Sequence, residues 1–434
     1  LQGSMLQFQA TVTDVADNSI VAALEPVRGD VSSPMEVVDT LRQRVLGAVA
    51  SNVDSKLAPG QTQRAPLSGL VQRAPLYEAY REFILGFENF LTDDAAALRH
   101  FERAWEIDPT FFVPLTYATY LWYVEGQHAK VEQALLQLAV DRGDWTPHGR
   151  KWLDAFTAYV SHRHAQALRH MIEAEKLAPR DPMTLHRIGM LSININDPRR
   201  ALEVLAAFHD QPWGNHRMGD SWITYRCWAH HILGEHESEL AAARKSIASH
   251  PEWEWVREDE IAALAALGRV DEAIEAAERC LVDPEIAGQA GYVVIDGAAE
   301  LRAHGHREAS LALANRVVSW CEMHPDSTQA SAEETGLHVE ALRYAERWQE
   351  ALQLLQPVVA DGSVAPRVIG VLGGLAGRLG DREVAVEAAE KLRSLDRPYL
   401  FGGHTYRRAC IAAVLGEREN AVALLRQAFA EGLE

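Results

Sequence analysis

The chain has 434 residues, and 42 Lys plus Arg against 61 Asp plus Glu leave it a formal charge of −19. A surface this acidic repels phosphate, so nucleic acid is not expected as a partner. No run of 18 apolar residues and no basic-then-apolar leader in the first thirty residues are present, so this segment is expected to be soluble, with no membrane insertion of its own. Hydrophobic residues make up 47% and aromatics 8%, with Pro and Gly set at intervals, the composition of helices joined by short turns. Cys227, Cys280, Cys321 and Cys410 are too scattered for a disulfide framework or a zinc knuckle and read as small apolar helix residues.

In chain order, residues 1–5 (LQGSM) read as a cloning scar. Residues 6–13 alternate apolar and polar without exception, the mark of a half-buried strand, and the apolar run Ile20 to Val27 follows a turn-forming DVADNS, so a hairpin is expected. Ser33, Pro34 and Glu36 supply a capping residue, a first-position proline and a capping-box glutamate for a helix to about residue 55. A lone hairpin leaves an apolar face and both edges open, so residues 6–55 are expected to be the tail of a truncated α/β module. Residues 56–75 repeat QRAPL and read as a linker.

From residue 76 one phrase recurs. Aligned on Gly268 in ALGRVDEAIEAAERCLVDP, it gives turn anchors at Thr92, Gly126, His162, Asn196, Gly234, Gly268, Gly305, Glu346, Gly380 and Gly416, spaced by 34 to 38 residues and once by 41. Such a period marks a solenoid, because one helix pair cannot bury its own apolar face. In the clearest copy Ile369, Leu372, Gly373 and Ala376 share one helical face, and Gly373 allows a close crossing of the two helices. Asp108-Pro109, His250-Pro251 and Asp283-Pro284 end second helices, since proline cannot continue them. Arg226 and Glu260 break the apolar pattern, and the 41-residue interval is expected to hold a longer loop with Pro325 and Asp326 near its tip.

These units resemble tetratricopeptide repeats, whose 34-residue pattern has small or apolar residues at the places just named. The resemblance covers residues 76–434 and implies an all-α fold class: a TPR-type right-handed α-solenoid of about ten helix pairs, preceded by a short β-hairpin plus helix. The order of α/β tail, YEAYREF and repeats is similar to the TolB-like and repeat-bearing C-terminal half of bacterial receptor-type serine/threonine kinases. In those proteins the repeats would be an extracytoplasmic sensor or scaffold; a cytoplasmic location is the alternative. Repeat-bearing adenylate cyclases and transcriptional activators have comparable tails, in which the array would be a spacer or dimerisation region.

Catalytic phrases are absent: no GxxxxGK[ST], GxSxG, HExxH or EF-hand loop, and no kinase HRD or DFG, so neither an enzyme activity nor a cofactor is expected of this segment. The histidines of WAHHILGEHE invite a metal, but His230 and His231 point about 100° apart and His236 lies beyond the turn, so no metal site is expected. Large aromatics give contact area at low entropic cost. On the Gly268 register Tyr120, Tyr123, Trp152, Phe156, Tyr159, His186, Trp228 and His231 should line the concave groove, Tyr123 and Trp228 foremost; packing between repeats is the other use for them. Trp145 and Trp213, in polar loops, either form a second surface or tuck over helix ends. The partner expected is a protein or peptide, neutral or basic, with a second copy of the chain as the alternative through Val422, Leu425 and Phe429.

Overall fold

The computed structural model describes residues 5–433 except 16–17, 19, 54–69, 71–72, 91–92, 141–144, 207–215, 252, 287, 325–335, 361–364 and 397–398. The expectations for residues 1–4, most of the linker, Thr92, Trp213, Pro325 and Asp326 fall outside the described residues. The chain divides into two compact units, Leu1–Ser192 with Val204–Gly219, and Ile193–Glu203 with Asp220–Glu434.

At the start of the first unit, β1 (Met5–Phe8) pairs antiparallel with β4 (Val27–Asp30), and β2 (Thr11–Thr13) with β3 (Ile20–Ala23). A 3.0 Å bond from Leu24 N–H to the Ala10 carbonyl joins the two ladders, so they are parts of one interrupted hairpin. Helix α1 (Pro34–Val53) starts at the predicted proline, where the Glu36 N–H reaches the Ser33 carbonyl at 3.2 Å. It packs so closely on the hairpin that a Cβ at Gly29 would collide with Val37.

Among the described residues twenty further α-helices follow as ten helix–turn–helix pairs. They are α2/α3 (Tyr77–Asn89, Asp94–Ile107), α4/α5 (Val113–Val124, His128–Val140), α6/α7 (Pro147–Val160, His164–Leu177), α8/α9 (Pro182–Asn194, Pro198–Leu205) and α10/α11 (His216–Ile232, His236–Ser249). The rest are α12/α13 (Trp255–Ala266, Val270–Val282), α14/α15 (Ala290–Ala303, Arg307–Met323), α16/α17 (Gly336–Tyr344, Trp348–Ala360), α18/α19 (Pro366–Arg378, Arg382–Arg393) and α20/α21 (Gly403–Val414, Arg418–Ala430). Helices α3, α11 and α13 stop one residue before the Asp108, His250 and Asp283 peptides with proline, as predicted.

The recurring turn has one backbone cause. Every described anchor is left-handed: Gly126, His162, Asn196, Gly234, Gly268, Gly305, Glu346, Gly380 and Gly416 have φ between 51° and 89°. At Gly268 the next residue, Arg269, donates its N–H to the Leu264 carbonyl at 2.9 Å, and the same five-residue return recurs from Glu417 to Ala412 at 2.9 Å. This is the helix ending that satisfies orphan carbonyls by one left-handed residue, which glycine adopts without a Cβ penalty. Seven residues before the anchor, the helices of a pair cross: a Cβ at Gly189 would meet Leu205, and one at Gly373 would meet Ala388 and Ile411. Cys227 and Ala298, at the same place, are fully buried. The charge at Glu260 is matched in place: it is 8% exposed and accepts from Arg244 Nε at 2.9 Å. The repeating turn, the small residue at the crossing and the paired helices define an all-α array of tetratricopeptide type. Among the described residues no helix is long and apolar enough to cross a membrane.

Candidate binding groove

Counting back from each left-handed anchor, residues at three, six and ten positions fall on one face of the first helix. On α4 these include Tyr123 and Tyr120, on α6 Tyr159, Phe156 and Trp152, and on α8 Met190 and His186. Tyr120, Trp152, Phe156, Tyr159, Arg187 and Met190 line a shallow depression shared by these three first helices.

Trp152 and Phe156 are buried to 7% and 8% exposure, whereas the tyrosine rings are half-buried. Tyr123 and Tyr159 lie with ring centroids 6.2 Å apart, and Tyr120 meets Phe90 edge-on at 5.8 Å. The Arg187 guanidinium sits 5.8 Å from the Trp152 ring centroid, within cation–π reach. Burial raises the Tyr123 phenol pKa well above its ordinary value, with Tyr159 and Tyr120 adding to it. Burial raises Tyr159 likewise, Tyr120 adding and Arg187 opposing. Both hydroxyls therefore stay protonated, as neutral hydrogen-bonding tips on apolar rings. His186 is 6% exposed, and burial, with Arg187 second, pushes its pKa down to about 3, so it forms an uncharged wall. Trp145 is 1% exposed and stacked on Phe112 at 5.8 Å, tucked over a helix end rather than offered as a surface.

In the second unit Trp228 is 42% exposed, its ring 5.7 Å from Tyr225. On α12 the same face carries Glu258, ten residues before Gly268, and the α14 carboxylates Asp296 and Glu300 act on it. Burial, then the charges of Asp296 and Glu300, pushes the Glu258 pKa up to about 8. Burial and then Glu340 raise Asp296 to about 6 against the pull of Arg367. Asp296 is also open to solvent, so water screens it more than Glu258. Arg367 acts on Asp296, whereas the charges acting on Glu258 are both carboxylates. Sequence reasoning missed Arg187, Met190, Glu258 and Asp296; the anchor register that found the aromatics, carried to every repeat, would have reached Met190 and Glu258, whereas Arg187 and Asp296, nine residues before their anchors, lie off it.

The histidines of α10 and α11 arrange differently from the sequence expectation. His230 turns aside to Glu235, 2.8 Å from its Nδ1. The left-handed turn at Gly234 folds α11 back on α10, so His236 comes to 4.9 Å from His231, ring to ring, rather than out of reach. Both rings address Glu239, from Nδ1 at 2.9 Å for His231 and 3.0 Å for His236. Glu300 and His304 approach His231 from α14 and the residue that ends it.

No family model matches the chain, and no curated protein matches it. Among solved structures, a tetratricopeptide repeat protein from Parabacteroides merdae is similar at 14% identity over 65% of this chain and 98% of its own, with a TM-score of 0.37. The human IFIT1 dimer with m7Gppp-AAAA is similar at 10% identity over 82% of this chain and 90% of that one, TM-score 0.35. The APC/C hetero-tetramer Cut9–Hcn1 shares 12% identity over 82% and 87%, TM-score 0.29. Likenesses this distant say nothing about ligand or partner. The assignment to a TPR-type array stands on the turns and crossings described above.

Proposed function

We propose that the chain is a non-catalytic binding module whose first-helix faces hold a protein or peptide segment of neutral or basic character. The observation that carries this reading is the depression of Tyr120, Trp152, Phe156 and Tyr159 beside Arg187. Rigid aromatic rings with hydroxyl tips give contact area and hydrogen bonding at low entropic cost, the chemistry of recognition hot spots. The net charge of −19 favours a cationic side chain over an anionic one.

A peptide library panned on the purified chain at low and moderate salt tests it, with an RNA oligonucleotide as a competitor because charge alone speaks against nucleic acid. Tyr120→Ala and Tyr159→Ala should each weaken a selected peptide by about 2 kcal/mol, roughly 30-fold. Binders insensitive to these variants and to Tyr123→Ala and Trp228→Ala would end the proposal. The finer reading, the sensor or scaffold part of a bacterial serine/threonine kinase-type signalling protein, rests on the order of the amino-terminal β–α segment and the repeats. The upstream reading frame tests it, since a kinase domain followed by a membrane segment is required there.

A further inference from the structure

Five side chains converge in the second unit: His231 near the end of α10, His236 and Glu239 at the start of α11, Glu300 near the end of α14 and His304 just after it. Glu239 is 1% exposed, and its carboxylate accepts the Nδ1–H groups of His231 and His236 at 2.9–3.0 Å. An imidazole that donates from Nδ1 presents the lone pair of Nε2 on its opposite edge. The Nε2 of His231 lies 3.7 Å from Glu300 Oε2, and the Nε2 of His304 lies 3.6 Å from the same oxygen. One ligand atom from each of these three residues fits within a 4.8 Å span.

We propose that His231 Nε2, His304 Nε2 and the Glu300 carboxylate bind a divalent transition-metal cation, of which zinc is the representative, with Glu239 as the positioning residue behind His231. Ligand atoms about 2.0–2.1 Å from a tetrahedral zinc stand roughly 3.3 Å apart, so the two spacings to Glu300, 3.7 and 3.6 Å, need to close by only a few tenths of an ångström, and the two imidazole nitrogens start within 4.8 Å of each other. Glu300 and His304 are four residues apart at the end of one helix and reach the same face. Two imidazoles and one carboxylate are a donor set for zinc, cobalt or nickel rather than for magnesium or calcium, which take oxygen ligands. Glu239 and Glu300 bring two carboxylates to the cluster, whose negative charge a divalent cation offsets. A buried carboxylate hydrogen-bonded to the far nitrogen of a ligating histidine is the outer-shell arrangement that fixes tautomer and ring orientation. His304 is exposed, so a fourth position opens toward solvent for water or a ligand side chain.

The test titrates the metal-stripped full chain with zinc chloride against a chromophoric chelator. One equivalent should bind in competition with the chelator in the parent chain and in His230→Ala, which alters a histidine outside the cluster. His304→Ala and Glu300→Gln, at partly exposed positions where folding should hold and can be checked by thermal melts, should lose that equivalent. Cobalt(II) in place of zinc should give the strong visible bands of a four-coordinate site, absent in His304→Ala. Glu239→Gln should keep the stoichiometry but weaken the affinity by about 10–100-fold. The proposal is overturned if the parent chain binds no stoichiometric zinc, or if His304→Ala and His230→Ala bind alike. It is equally overturned if Glu239→Gln removes the ion while Glu300→Gln retains it, because the ion would then sit on the other edge of His231.

Discussion

Gly373 lies directly beneath Ile411: a Cβ built at Gly373 would stand 2.5 Å from the Ile411 Cδ1 and 2.9 Å from the Ala388 Cβ. Its neighbour Gly374 has nothing within 4 Å of the same hypothetical atom. One glycine is therefore required by a crossing of three helices, and the other only lowers helix propensity. Gly373→Leu should cost about 1–3 kcal/mol by overpacking. Gly374→Ala should raise stability by up to about 1 kcal/mol, since the helix gains propensity without a clash. Thermal and urea melts of the two variants side by side decide it; equal losses would show that the helix register is misassigned.

A second expectation concerns the anchor turn. A Cβ at Gly268 meets nothing within 4 Å, so its φ of 70° alone opposes a side chain. Gly268→Ala should then cost about 1 kcal/mol, and Gly268→Asn less, because asparagine tolerates the left-handed region better. Denaturant midpoints for both variants measure this. A neutral Gly268→Ala would mean that the turn relaxes out of the left-handed region.

The repeat was legible because its turn needs a left-handed residue, and glycine writes that need into the sequence at Gly126, Gly234, Gly268, Gly305, Gly380 and Gly416. His162, Asn196 and Glu346 take the same conformation without glycine, and there only the period located the turn. The gathering of Tyr120, Trp152, Phe156 and Tyr159 followed from the same period. The histidine cluster did not, because helical periodicity treats each helix alone. His231 and His236 meet through a turn that reverses the chain, and Glu300 arrives from a helix pair more than sixty residues further on. Glu260 looked like a fault in the pattern for a related reason: its partner Arg244 belongs to the preceding pair.

That ion pair can be tested. Glu260 is nearly buried while Arg244 is 43% exposed, so solvent screens one end and the pair is worth less than a fully buried one. Arg244→Met should destabilise the second unit by about 1–2 kcal/mol, because among the described residues Glu260 then keeps Arg279, 3.6 Å away, as its cation. The double variant Arg244→Met with Glu260→Leu should recover most of that loss, since no carboxylate is then left in the apolar surround. A double-mutant cycle from urea melts gives the coupling directly. Strictly additive losses would mean that the pair is not formed in solution.

The carboxylate of Glu258 predicts how stability moves with pH. Its pKa is raised from 4.5 to about 8, by burial first and then by Asp296 and Glu300. The folded chain therefore holds a proton that the unfolded chain has released throughout that window. More protons bound to the native state means that stability is fully present below the unfolded pKa and declines as pH rises through the window, levelling off above the folded pKa. Asp296, raised from 3.8 to about 6, should add a smaller decline at lower pH, reduced by its contact with water. Glu258→Gln removes the titrating group while keeping its shape, so the variant should be more stable than the parent at pH 8 and nearly equal to it at pH 4. Urea unfolding of both chains at a series of pH values tests the sign. A parent chain whose stability rises steadily from pH 5 to pH 8 while Glu258→Gln follows the same curve would show that Glu258 is ionised and solvated in the folded state.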